Sequence, residues 1–274
     1  MGMAMSQRAR RRVAGVLTVL VASGGWLVAA SGIAAGSPGG AGHALVTKGG
    51  PSSQTAGAPL QYHGGKLLTA SKTYAIFWGP QSQFPTDEAD GMAKLLGGFG
   101  GSHYLGIAAQ YLPVAPTSTY EGELLDSSPP PSHAPSTATI VAEVASLITT
   151  PDPNAIYFVY TSNFPHLNFC AWHGAGVING VTVQVAYMPN TAGIAGCDPG
   201  NLYGANTYSE GTRSVADSTA HEFMEATTDP VPVSGWADKN HLEIGDKCNF
   251  VYGAPVELAN HTDWQLQEEW SNAD

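Results

Sequence analysis

Ala155-Ile-Tyr-Phe-Val-Tyr-Thr161 carries no charge and is built from apolar, aromatic and β-branched side chains. So short and apolar a run reads as a core strand. Working outward, Thr73-Tyr-Ala-Ile-Phe-Trp78 reads as a second buried strand, ended by Gly79-Pro80. Val181-Thr-Val-Gln-Val-Ala-Tyr187 alternates and predicts a half-buried strand near an edge.

Helical spacing lies between and after these runs. Thr86 to Phe99 places Asp87, Glu88 and Asp90 in its first turn and Met92, Leu95 and Leu96 on one face. A short helix is expected from His103 to Tyr111, then a polar loop around Pro129-Pro130-Pro131. Ser136 is placed to cap a helix holding Ile140, Val141, Val144, Leu147 and Ile148, which stops before Pro151. Thr212 to Thr228 reads as a helix ended by Asp229-Pro230. Helices and strands mix without strict alternation, which predicts an α+β class, or a mixed α/β sheet, in one domain.

The 274-residue chain opens differently. Arg8, Arg10, Arg11 and Arg12 precede an uncharged stretch from Val13 to Ala35 that dissolves into small residues. This is the order of a secretory signal peptide, expected over residues 1–35, with Val28-Ala29-Ala30 and Ile33-Ala34-Ala35 as candidate cleavage sites. The rival reading is an uncleaved anchor, since roughly 20 apolar residues span a bilayer. The many Gly, Ser and Ala residues make this stretch a poor span. Residues 36–58 are Gly, Ser, Ala and Pro with little to bury, and are expected to form a disordered spacer. Residues 59–274 are long enough for one sizeable core.

Signal removal would take four of the eleven basic side chains and none of the 22 acidic ones. Seven basic against 22 acidic groups leave a formal charge of −15. Such a field repels nucleic acid and anionic membranes, and suits a secreted protein or one that collects divalent cations. The three cysteines, Cys170, Cys197 and Cys248, allow one disulfide in an oxidising compartment. Cys170–Cys197 is the expected pair, against a metal-ligand reading of Cys170-Ala-Trp-His173. His173 would then be structural or a pocket residue. Cys248 is either the free thiol or the partner of one of the others.

The chemistry concentrates in Ala220-His-Glu-Phe-Met-Glu-Ala226. Four-residue steps put Asp217, His221, Glu225 and Asp229 on one stripe of the helix. His221 and Glu225 are thereby placed to bind one cation, as paired histidines do in H-E-x-x-H zincins. Glu222 is placed to act as general base. Glu225 in place of a second histidine makes a harder site, for zinc but also for calcium or manganese. The third ligand is expected at Glu243. Asp246 either binds directly or steadies a ligand. The bland reading is a solvated acidic helix in which His221 makes only a surface contact with Glu225 or Asp217.

Weaker candidates are His63, read as structural, in Tyr62-His-Gly-Gly65, whose glycines suggest a close backbone approach, and the aromatics Tyr252, Trp264 and Trp270. These three would form either a sugar platform or core packing. Neither a G-x-S-x-G elbow nor a phosphate-binding glycine loop is present.

Several motifs occur in the order found in one family. Tyr62-His-Gly-Gly-Lys-Leu-Leu68 precedes Tyr74-Ala-Ile-Phe-Trp-Gly79. Phe158-Val-Tyr-Thr-Ser162, Phe169-Cys-Ala-Trp-His173 and Ala186-Tyr-Met-Pro-Asn190 follow. Next come Ala220-His-Glu-Phe-Met-Glu-Ala-Thr-Thr-Asp-Pro230, Gly235-Trp236, Glu243-Ile-Gly-Asp246 and Trp264-Gln-Leu-Gln-Glu-Glu-Trp-Ser-Asn272. From about residue 60 the chain resembles the phosphate-induced protein 1, or Exordium-like, family. The resemblance implies a secreted or cell-wall-associated protein without an established biochemical activity. His241 stands where relatives tend to carry a turn glycine. A later cysteine that would pair with Cys248 is absent.

The expected function is metal-dependent, zincin-like and peptidase-like hydrolysis of an extracellular substrate. Its alternative is a non-catalytic module that binds a cell-wall glycan or protein partner, with a structural metal or none.

Overall fold

A computed structural model of the protein describes residues 43–46, 58–202 and 208–273. They fall within one compact unit, Gly39–Asp274. The segment read as a signal peptide lies outside the described residues. Among the described residues, no helix is long and apolar enough to cross a membrane.

In chain order the elements begin with β1 (His43–Val46), β2 (Gln61–Tyr62), β3 (Ala70–Trp78), α1 (Glu88–Phe99), α2 (His103–Gly106) and β4 (Thr117–Asp126). There follow α3 (Thr137–Leu147), β5 (Ala155–Thr161), β6 (Phe169–Ile178), β7 (Val181–Pro189), α4 (Glu210–Thr228) and β8 (Trp236–Ala237). The main sheet runs β1-β6-β7-β5-β3-β4. β4, β3, β5 and β7 are mutually parallel, while β6 and β1 add antiparallel. The class is α+β with a mixed sheet, as expected.

β5 explains the layering. Ile156, Phe158 and Tyr160 join the core that also holds Met92, Leu95, Val215 and Phe223 of α1 and α4. Tyr157 and Val159 join the opposite core with Ile140 and Val144 of α3. Successive side chains alternate across a strand, so helices on both faces demand a run that is apolar throughout. Ser136 caps α3 as expected, accepting a hydrogen bond from Thr139 N at 3.2 Å.

Four expectations are corrected. β7 lies between β5 and β6 and is buried through most of its length, because β6 and β1 cover the edge it was expected to occupy. His43–Val46, inside the stretch read as a spacer, pairs with β6; the rest of that stretch before residue 58 lies outside the described residues. The region read as a polar loop contains β4, an exposed edge strand whose polar alternation hid its pairing with β3. Residues 103–111 break into α2 and a 3-10 turn, Ile107–Tyr111.

α4 is buried from Gly211 to Thr228 apart from the half-buried Arg213, although many of its residues are polar. Thr219, Thr227 and Thr228 return their hydroxyls to carbonyls one turn back, at 2.7–3.0 Å. This satisfies the hydroxyls without water. Solvated faces therefore do not explain the acidic residues of this helix.

Candidate metal centre

Beyond α4 the chain turns sharply. Asp229 accepts hydrogen bonds from the backbone N–H of Val233, Ser234 and Gly235 at 2.6, 3.0 and 2.6 Å. A side chain at Gly235 would collide with Thr228 O, so only glycine permits this turn. β8 then pairs with β2. The Tyr62-His-Gly-Gly65 motif makes the expected close approach: Gly65 N donates to Ser234 O at 2.7 Å. His63 Nε2 lies 3.2 Å from Ala237 O, a structural contact. His241 adopts a φ of 67°, the left-handed backbone expected of a turn glycine. From there Glu243 and the 3-10 turn Asp246–Cys248 return over α4.

The return brings two groups of side chains together. In the first, His221 Nε2 lies 3.1 Å from Glu225 Oε1 and 4.0 Å from Asp246 Oδ1. In the second, His173 Nε2 of β6 lies 2.9 Å from Glu243 Oε2 and 3.5 Å from Glu225 Oε2. Within each group the potential ligand atoms all lie within 4.8 Å of one another. His173, His221, Glu225 and Glu243 have no exposed surface, and Asp246 is 4% exposed. Each group could hold a metal ion.

The scaffold fixes these side chains. Asp246 N donates to Glu225 Oε1 at 3.2 Å, and Asp246 Oδ2 accepts from Glu243 N at 3.1 Å. Gly245 rests on the His221 ring: a Cβ there would fall 2.7 Å from Nδ1. Gln267 Nε2 holds the Gly245 carbonyl at 2.9 Å. Asp217, one turn before His221, accepts from Tyr252 Oη at 2.7 Å and Gln267 N at 2.8 Å. Tyr104 Oη donates to Glu269 Oε1 at 2.6 Å.

The buried acids and imidazoles act strongly on one another. Burial by itself disfavours a charged His221, yet the charges of Glu225, Glu222 and Asp246 raise its pKa well above the ordinary histidine value. Burial, then the neighbouring carboxylates Glu225, Asp229 and Asp246, push the Glu243 carboxyl well above its usual range. Clustered buried carboxylates of this kind need protons or metal ions to offset their charge. A histidine nitrogen with two carboxylates suits zinc or manganese.

The expected ligands His221, Glu225 and Asp246 are brought together, with Asp246 a direct member. Glu243 is grouped with His173 rather than His221, so one set of His221, Glu225 and Glu243 is not what forms. Glu222 is fully buried and belongs to neither group. His173 joins a ligand group although the metal reading of Cys170-Ala-Trp-His173 ranks second to the disulfide in the sequence. Its signal was the spacing in Cys170-Ala-Trp-His173, but Cys170 is committed elsewhere. Cys170 and Cys197 form the expected disulfide. Cys248 is free and half-buried, its thiol pushed up to about 12 by burial and then by Glu269 and Glu268.

The aromatics form no shared platform. Trp264 is buried and stacks on Tyr208, Trp270 packs under the Lys247 ammonium, and Tyr252 serves Asp217.

No family model matches the chain, and neither a curated protein nor a solved structure does.

Proposed function

We propose that the protein is an exported, Exordium-like metalloprotein whose buried centre carries out hydrolysis, with peptides as the favoured substrate class. One observation carries this reading: four carboxylates, Glu222, Glu225, Glu243 and Asp246, are buried with two imidazoles, His173 and His221. Carboxylates clustered this closely in the interior are costly to bury unless protons or cations join them. His221, Glu225 and Asp246, or His173, Glu225 and Glu243, would hold the cation. A divalent cation at such a site supplies Lewis acidity and lowers the pKa of water. Glu222 follows His221 on the same helix, takes no part in either group, and is the candidate to accept a proton from water. Asp246 N keeps Glu225 oriented, and Gly245 keeps the His221 ring in place.

The test compares wild type with Glu222→Gln on a panel of peptides and esters, with metal content measured on both. The reading expects equal metal and a loss of turnover on the order of 10²–10⁴-fold. Equal metal with equal turnover would remove Glu222 as the base.

A second reading, a non-catalytic extracellular module with a structural cation, is favoured by closure. His173, His221, Glu222, Glu225 and Glu243 all have no exposed surface, whereas catalytic sites keep a position open. Tightly held metal with no turnover in wild type would select it.

A further inference from the structure

We infer that the centre holds two divalent cations, bridged by the carboxylate of Glu225. This rests on the metal-binding reading above and deepens it. The two oxygens of Glu225 face different histidines: Oε1 lies 3.1 Å from His221 Nε2, and Oε2 lies 3.5 Å from His173 Nε2. Each histidine has its own further carboxylate, Asp246 for His221 and Glu243 for His173. Glu225 is thus common to two ligand groups that otherwise share nothing. A carboxylate offering one oxygen to each of two ions is the usual bridge of two-metal sites, where the ions sit about 3.5–4 Å apart.

The donor set is also large enough for two ions: Glu225, Glu243 and Asp246 offer three buried carboxylates beside the two imidazoles. The surrounding acids need no ion of their own. Asp229 is met by three backbone N–H groups, Asp217 by Tyr252 and Gln267, and Glu269 by Tyr104. His221 fits the same reading. It is fully buried, and its Nε2 faces two carboxylates, Glu225 Oε1 at 3.1 Å and Asp246 Oδ1 at 4.0 Å. A buried imidazole nitrogen set against two carboxylates is a donor set suited to a metal ion.

The experiment is elemental analysis of the purified protein after saturation with zinc, and separately with manganese, followed by removal of loose metal. Two ions per chain are expected in wild type, falling to one in His173→Gln and to one in Asp246→Asn. Manganese-loaded wild type is expected to give the electron paramagnetic resonance spectrum of an exchange-coupled pair. That measurement needs no variant to fold. One ion per chain with an isolated six-line spectrum would overturn the bridge while leaving a metal-dependent function standing. No retained ion would overturn both.

Discussion

His173 Nε2 lies 2.9 Å from Glu243 Oε2, tying β6 of the main sheet to the segment that returns across α4. Both side chains are fully buried, so each is the other's replacement for water. Replacing His173 by Ala leaves Glu243 and Glu225 without their shared basic neighbour. Breaking a buried pair from one side costs about 3–5 kcal/mol. Urea unfolding of metal-free His173→Ala should show that loss relative to wild type, and a change below about 1 kcal/mol would place the histidine outside the cluster's energetics.

Gly245 is required for its lack of a side chain rather than for its backbone, since its φ of −75° is ordinary. Gly245→Ala should push a methyl group into the His221 ring, which is enclosed and cannot retreat freely. Metal affinity measured by competition with a chelator should fall by at least about tenfold. Unchanged affinity would mean that the ring is free to move.

Glu88 offers a pH test at a site outside both ligand groups. It is 2% exposed at the start of α1, and burial, then the charge of Asp87, raise its pKa from 4.5 to about 8. The folded state therefore keeps a proton that the unfolded state releases. Its contribution is fully present below pH 4.5 and is lost as pH rises toward about 8, at about 1.4 kcal/mol per pH unit. Glu88→Gln should remove this slope from a plot of unfolding free energy against pH. An identical slope in variant and wild type would contradict the assignment.

The Cys170–Cys197 disulfide spans 27 residues and anchors the start of β6, three residues before His173. Removing it by the double change to Ala should cost about 2–4 kcal/mol in urea unfolding. A cost near zero would make the bond dispensable for the fold.

The layered fold was legible where local pattern and tertiary role agree. Ala155–Thr161 and most of the span of α4 could be read directly, because a doubly covered strand and a helix stopped by Asp229-Pro230 leave strong local marks. β4 was not legible, since an exposed edge alternates polar residues much as a loop does. Half of the centre was visible in the His221–Glu225 spacing, which one helix fixes. The division of Glu243 and Asp246 between two histidines was not, because it depends on where β6 passes beneath the returning chain. His173 belongs to a strand whose sequence, Phe169-Cys-Ala-Trp-His173, points more strongly to its cysteine than to its histidine.

The most direct test of the central claim, that this buried cluster is a metal centre, is the thermal unfolding midpoint of the purified protein. It is measured after exhaustive chelation and again with excess zinc, manganese or calcium. Binding to the folded state at a thousandfold excess over Kd stabilises it by about 4 kcal/mol, which for a domain of this size raises the midpoint by about 8–16 °C. The account predicts a rise of that order with at least one of these ions, and its loss in Glu225→Ala. A midpoint indifferent to all three ions would contradict it.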